Sequence, residues 1–371
     1  MVLEAMLPFF RENYGNAGTT HPEVGGVAER AVRKAREQVA DLLNCQPNEL
    51  IWTSGATESN NLAIFGVVGA TEESKRHIVT QVTEHSAVLE PVRELESRGW
   101  RVTYLGVDET GRIDLSELES SLSDSTALVS IMWGNNEIGT VQDVLEIGNI
   151  CKARGIPWHC DAAQSVGKVK VDLCEVEADF ITLSAHKMYG PKGTGALFAR
   201  EMTKREVISP LLYGGGQEKS YRSGTLNVPG IVGLGAACEL ANQNLPAWKE
   251  QVSTLRDQFE RSLNDRVSKV TLNGNREHRL PHISNMAFEA VDNESLLTMI
   301  PEVVASTGST CHVASFQPSH VLGALGRAVS DCSLRFGFGK DNTIDEVDEA
   351  VTLLVEFVKQ LRTDSDLQLA D

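Results

Sequence analysis

The 371-residue chain has no run of about 18 apolar residues, so no membrane-spanning helix is expected. Its first residues, Met1-Val-Leu-Glu-Ala-Met-Leu-Pro8, place no basic group ahead of the apolar ones and do not read as a secretory signal. Basic residues are in deficit: 34 Lys and Arg stand against 51 Asp and Glu, a net charge of −17. Such a surface repels nucleic acid, and no long basic run offsets it. Cysteine is sparse and odd in number. The seven thiols, Cys45, Cys151, Cys160, Cys174, Cys238, Cys311 and Cys332, form no Cys-x-x-Cys pair. That argues against a disulfide framework or a zinc site and for a reducing, cytoplasmic location. Internal repeats and low-complexity tracts are also missing.

What is present is an ordinary globular composition, 41% hydrophobic and 23% charged, in a chain long enough for two domains. Helical and strand patterns alternate through the first two thirds. Helices are expected over 24–43, 60–68, 87–98, 115–122 and 144–154. Strands are expected over 50–53, 77–82, 100–105, 126–132, 157–160, 180–184 and 195–199. This alternation predicts a mostly parallel α/β sheet. From about Asn244 the pattern becomes α+β, with helices over 247–263, 294–300 and 344–361, strands near 270–272 and 283–288, and a frayed end from Asp364.

In such sheets ligands gather beyond the carboxyl ends of strands. Polar clusters stand at those places: Ser54-Gly-Ala-Thr57, Thr83-Glu-His85, Asn135-Asn136, Asp161, and Ser184-Ala-His-Lys187. Lys187 is either a solvated surface lysine or, partly buried with a lowered pKa, an amine ready to form an imine. Asp161 either caps a following helix or pairs with a cation. A lysine for an imine and an acid for a pyridinium nitrogen are the two side chains that pyridoxal 5'-phosphate (PLP) requires. Gln164 is placed to bond the ring hydroxyl. Ser54-Gly-Ala-Thr57 opens a helix and is an N-cap or a phosphate cradle, to which Ser184 and His186 can add donors. His85 is a core histidine or a ring-stacking proton shuttle, and Asn136 is a turn residue or a substrate-orienting one. Arg335, in an apolar strand, needs an anion, either a structural carboxylate or a substrate α-carboxylate. Cys311 sits in Ser306-Thr-Gly-Ser-Thr-Cys-His-Val-Ala-Ser315, small and polar enough to predict a mobile loop and an exposed, nucleophilic thiol.

Together these stretches resemble the cysteine desulfurases of the NifS/IscS-like type, in the class V (fold type I) aminotransferase superfamily. Gly214-Gly-Gly-Gln-Glu218, Arg222-Ser-Gly-Thr225, Ser309-Thr-Cys311 and Leu334-Arg-Phe336 extend the match over nearly the whole chain. The resemblance implies a large PLP-binding domain over 9–243 with a mostly parallel seven-stranded sheet. It implies a smaller C-terminal α+β domain, 244–371 with 1–8, that carries the catalytic cysteine loop. Lys187 would hold PLP, Asp161 its ring nitrogen, and His85, Gln164 and Asn136 its ring. Ala56, Thr57, Ser184 and His186 would bind the phosphate, with Thr225 given across a homodimer interface. Arg335 would hold the carboxylate of L-cysteine. The implied reaction makes L-alanine through a PLP ketimine and a Cys311 persulfide, whose sulfur passes to an acceptor protein. Iron–sulfur cluster assembly, tRNA thiolation and DNA sulfur modification would all begin from that persulfide.

Three departures from the family pattern stand out. Its opening strand and Ala-Thr-Thr-Pro segment have no counterpart after Met1. Trp133-Gly134 replaces the usual His-Val before the two asparagines. Cys311 is followed by His312, which resembles selenocysteine lyases and some desulfurases outside the housekeeping group. A selenocysteine lyase, or an aminotransferase of the same fold, is therefore the alternative activity, and a non-enzymatic scaffold for acceptor proteins is a third reading.

Overall fold

The structure is a computed structural model and describes residues 1–19, 21, 23, 25–200, 208–307, 319–327 and 332–368. The apolar runs of the first part are strands: β1 (Leu50–Thr53), β2 (His77–Gln81), β3 (Arg101–Leu105), β4 (Thr126–Ser130), β5 (Trp158–Asp161), β6 (Phe180–Ser184) and β7 (Gly195–Ala199). All except β3 are buried at every position, which suits strands covered on both faces. They form one sheet in the order β1-β7-β6-β5-β4-β2-β3. β3, β2, β4, β5 and β6 are parallel, while β7 runs antiparallel to both β6 and β1. Two reversals return β1 to the direction of β6. The carboxyl ends of β1, β2, β4, β5 and β6 therefore share one edge of the sheet. This is the mostly parallel sheet that the alternation predicts.

Helices α1 (Val2–Met6) and α2 (Pro8–Arg11) open the chain, followed by α3 (Gly25–Leu43), α4 (Ala56–Ala70), α5 (Ser86–Ser97), α6 (Leu115–Ser121) and α7 (Val144–Arg154). The core of this part joins Leu62 and Ile64 of α4 and Val88 of α5 to Ile78, Leu128 and Phe180 of the strands.

α8 (Val228–Arg266) corrects one expectation. The sequence pattern places a helix only from Ala247, one residue after Pro246, which lacks an N–H and usually ends a helix. The structure instead carries one 39-residue helix through Pro246. The chain divides into two compact units at this proline. One comprises Met1–Leu105, Leu115–Trp133 and Asp143–Leu245; the other comprises Gly106–Asp114, Gly134–Gln142 and Pro246–Asp371. Residues 1–8 thus cluster with the first unit, where α1 and α2 hold them in helix, and the turn Asn135-Asn136 belongs to the second.

The second unit contains β8 (Val270–Asn273), β9 (Ile283–Phe288) and β10 (Cys332–Gly337) in an antiparallel sheet of order β10-β9-β8. With these go α9 (Asn293–Met299), α10 (His320–Ala324) and α11 (Ile344–Gln368). α11 remains helical to Gln368, past the point where fraying was expected. Phe259 of α8 meets Phe336 and Phe338 at ring-centroid distances of 4.7 and 5.5 Å. Among the described residues, no helix is long and apolar enough to cross a membrane.

Two histidines are built into the sheet as neutral cross-links. His77 bonds Thr126 Oγ1 at 2.8 Å and Thr103 Oγ1 at 2.9 Å. His159 spans β4, β5 and β6 through Ser130 Oγ at 2.9 Å and Thr182 Oγ1 at 3.1 Å. Burial lowers each imidazole from its ordinary 6.5 to about 4. A depressed folded value means stability that is present above pH 6.5 and lost as the pH falls toward 4. For His159 alone the loss by pH 4 is about 3 kcal/mol. Urea unfolding at pH 7.5 and pH 4 should show this drop, and His159→Gln should flatten it. An unchanged pH slope in His159→Gln would exclude the cross-link as its source.

Candidate active site

The polar ends of adjacent strands build the site in the first unit. Asp161 closes β5 and is 8% exposed. Its Oδ2 accepts from Asn60 Nδ2 of α4 at 2.7 Å, and its Oδ1 accepts from Ala163 N at 3.0 Å. The second bond closes a tight turn rather than capping a helix, since no helix follows. The carboxylate is therefore fixed at the sheet edge by two N–H donors.

One strand over, β6 ends at Ser184 and gives way to a single helical turn, Ala185–Met188, that carries Lys187. Tyr189 stops the turn with a φ of 66°. At Gly190 a Cβ would lie 2.9 Å from Ala185 O, so only glycine lets the loop fold back here. Lys187 is exposed, which corrects the expectation of a partly buried amine. The turn lifts its side chain off the strand end instead of leaving it between apolar neighbours. Ser184 Oγ and His186 Nδ1 share a 2.9 Å hydrogen bond. Desolvation, and then the charges of Lys187 and Lys192, lower the His186 pKa.

The helix after β1 presents its start at the same edge. Gly55 is the N-cap of α4, and no side chain caps the helix. The first-turn N–H groups at Ala56 and Thr57 thus have the arrangement that binds anions. Gly55 lies at φ 150°, and a Cβ there would stand 3.7 Å from Ser184 Oγ, so Ser184 adjoins this helix start. A Cβ on Gly195 would come within 2.7 Å of Gly55 Cα, so glycine at 195 permits the close approach of β7. The Ser/Thr N-cap alternative does not describe this turn.

His85 is the N-cap of α5, half-buried, with Nδ1 accepting from Ala87 N at 3.0 Å. That bond leaves its neutral-form proton on Nε2. Gln164 is half-buried after β5, and Thr225 is exposed.

Thr225 ends a braced loop that the sequence reading did not explain. Glu218, Lys219 and Ser220 all have positive φ, at 46°, 56° and 67°. Non-glycine residues pay about 1–2 kcal/mol each for that region. Two bonds to Glu218 hold it: Arg36 Nη2 donates to Oε1 at 2.7 Å and Trp52 N to Oε2 at 2.9 Å. Arg222 Nε donates to Glu58 Oε1 at 2.7 Å, and Ser54 N donates to Glu58 Oε2 at 2.8 Å. Burial pushes the Glu58 carboxyl up, but these bonds outweigh it and leave it below its usual range. One carboxylate so joins the loop to the start of α4.

In the second unit, Asn135 Oδ1 accepts from Glu137 N and Ile138 N at 2.8 and 3.0 Å and makes a tight turn. Arg335, half-buried on β10, donates from Nη1 to Asn136 O at 3.0 Å. Ser306 pairs with Arg335 through both backbone groups. Cys311 and His312 lie outside the described residues.

The first-unit residues fit PLP on their own chemistry: an uncapped helix start with a hydroxyl beside it, a fixed carboxylate at a neighbouring strand end, and an accessible amine. The comparisons agree. The family model for aminotransferase class-V matches residues 1–350. The chain is similar to "Cysteine desulfurase IscS" of Anaeromyxobacter sp. (strain Fw109-5), 46% identical over 368 residues, which cover 99% of this chain and 91% of that one. It is also similar to a solved NifS-like protein, with TM-score 0.89 and 36% identity over 96% of this chain and 95% of that one. A further solved structure, "SspA in complex with cysteine", matches with TM-score 0.81 and 36% identity over 92% of this chain and 96% of that one. The chain belongs to the class-V aminotransferase family of PLP-dependent, fold type I enzymes, and within it to the cysteine desulfurases.

Proposed function

We propose that the protein takes sulfur from L-cysteine onto Cys311, releases L-alanine, and passes the sulfur to an acceptor protein in the cytoplasm. The observation that carries this reading is the placement of Lys187 and Asp161 just past adjacent parallel strands, with the uncapped start of α4 beside them. Asp161 would hold the ring nitrogen of PLP, while Ala56, Thr57, Ser184 and His186 would bind its phosphate. His85 would pack against the ring, and Gln164 and Asn136 would contact it. When bound there, PLP supplies an electron sink for the substrate Cα. Lys187 offers the amine that would hold PLP covalently, and it would move the substrate Cα proton. Arg335 holds the substrate carboxylate through its planar fork. Cys311, as a thiolate, would attack the substrate sulfur: the S–S bond of a persulfide forms as the substrate Cβ–S bond breaks, and the electron pair stays on the carbon fragment, which takes a proton and leaves as alanine.

The active unit in this reading is a homodimer, in which Thr225 reaches the partner subunit's phosphate. Leu212 and Tyr213, at the head of the braced loop, are 45% and 82% exposed, an apolar surface that suits a second copy. The braces on Glu218 and Glu58 support this role by holding the loop that leads to Thr225.

Asp161→Asn should weaken PLP binding by about 10- to 100-fold, the loss of one charged hydrogen bond. Equilibrium titration of apoprotein with PLP measures it, and unaltered affinity would remove Asp161 from its role. The function itself is tested by supplying L-cysteine with a reductant and measuring sulfide and alanine together. Equal amounts are expected. Pyruvate in place of alanine, or an amino product without sulfide, would overturn the reading.

A further inference from the structure

Glu84 lies between Thr83 and His85 and has no part in the scheme above. It is fully buried just past β2. Its Oε1 accepts from Met132 N, just past β4, at 2.5 Å. The Gln81 side chain lies close to this carboxyl. The next residue after Met132 is Trp133, whose N donates to Asp161 O at 3.0 Å. Two successive amides of one segment are thus held by the two acids, Glu84 through its side chain and Asp161 through its backbone. The titratable groups that face Glu84 from β5 are Asp161 and Cys160, both of which add negative charge when ionised.

We propose that Glu84 is a positioning residue for the PLP site and works as a neutral, protonated acid. It clamps the end of β2 to the segment after β4 that also fixes Asp161, and it leaves the negative charge there to Asp161. This rests on the reading of Asp161 as the partner of the ring nitrogen.

An ionised carboxylate without exposure, beside a second anion, is strongly disfavoured. Burial, and then the charge of Asp161, raise Glu84 well above the ordinary carboxylate range, against the bond from Met132 N. A protonated carboxyl still accepts from Met132 N and gains an O–H donor. The environments of the two acids differ: the Asp161 carboxylate accepts from two N–H donors, Asn60 Nδ2 and Ala163 N, while the fully buried Glu84 lies beside a second acid. Fixing the segment after β4 then fixes the Asp161 backbone without a second charge near the pyridinium.

Glutamine reproduces the neutral acid in shape, so it serves as the conservative variant. A raised folded pKa contributes stability that is present below the unfolded value and lost as pH rises through the folded one. Relative to wild type, the folding equilibrium constant of Glu84→Gln should therefore gain about tenfold per pH unit above the ordinary Glu value. Infrared spectra of the PLP-loaded protein near pH 7.5 should show the carbonyl band of a protonated carboxylic acid that vanishes in Glu84→Gln. Glu84→Gln should keep the PLP dissociation constant and the pH midpoint of the PLP absorption band. Glu84→Asp, too short to reach Met132 N, should weaken PLP binding by about tenfold, one lost hydrogen bond of the stronger kind.

Absence of the acid band, with a shifted chromophore midpoint in Glu84→Gln, would overturn the neutral state. Unchanged PLP affinity in a folded Glu84→Asp would overturn the positioning role. If the reading of Asp161 is wrong, Asp161→Asn will bind PLP normally while the acid band at Glu84 persists, so the two failures are told apart.

Discussion

Cys311→Ser will form no alanine and no sulfide from L-cysteine above background, a loss of at least about a thousandfold if Cys311 is the covalent nucleophile. Serine keeps the size of the side chain but offers an alcohol, which cannot take sulfur as a thiolate does. Five of the six described thiols are poorly suited to substitute, because burial holds them in the neutral form. Cys151, Cys160, Cys238 and Cys332 are buried. Burial raises the pKa of Cys151 and Cys332 to about 12, and pushes Cys160 and Cys238 up as well. Cys45 is likewise raised to about 12 by burial. Cys174 is exposed, so Cys174→Ser is the control and should turn over normally. PLP content should stay at wild-type level in Cys311→Ser, since the thiol acts on sulfur and not on the cofactor's seat. Alanine formation that survives in Cys311→Ser would point to a transaminase-like reaction instead.

Lys187→Ala has the second large expected effect. In the proposed function one side chain both seats PLP and moves the substrate Cα proton, so removal should lower kcat by about a thousandfold or more. Stability should hardly change, because Lys187 is exposed on a turn closed by Tyr189 and Gly190. Thermal unfolding and steady-state alanine production separate the two quantities. A variant that unfolds near the wild-type temperature and makes no alanine is the predicted outcome. One that retains even a tenth of the rate would assign the proton transfer elsewhere.

Much of this was legible in the sequence because strand ends are local signals. Thr83-Glu-His85, Asp161 and Ser184-Lys187 each follow an apolar run that is buried throughout, and a parallel sheet must collect them at one edge. The features that escaped depend on contacts between distant segments. Lys187 read as partly buried because its neighbours are small and apolar, yet a short helical turn exposes it. The sequence places a helix only from Ala247, but α8 runs from Val228 through Pro246, where the compact units change. The hold on Asp161 by Asn60 spans 101 positions, and the bond from Met132 to Glu84 spans 48. The brace on Glu218 joins residues 182 apart, so its three left-handed residues had no visible cause in the local pattern. Hydrophobic periodicity reports which face is buried, and it is silent about which polar atoms meet inside.

The most direct test is to reduce the PLP-saturated protein with borohydride, digest it and locate the cofactor by mass spectrometry. A stable pyridoxyl adduct on the peptide containing Lys187, and on no other lysine, is the predicted result. A reduced, saturated protein in which Lys187 carries no adduct would contradict the account at its base.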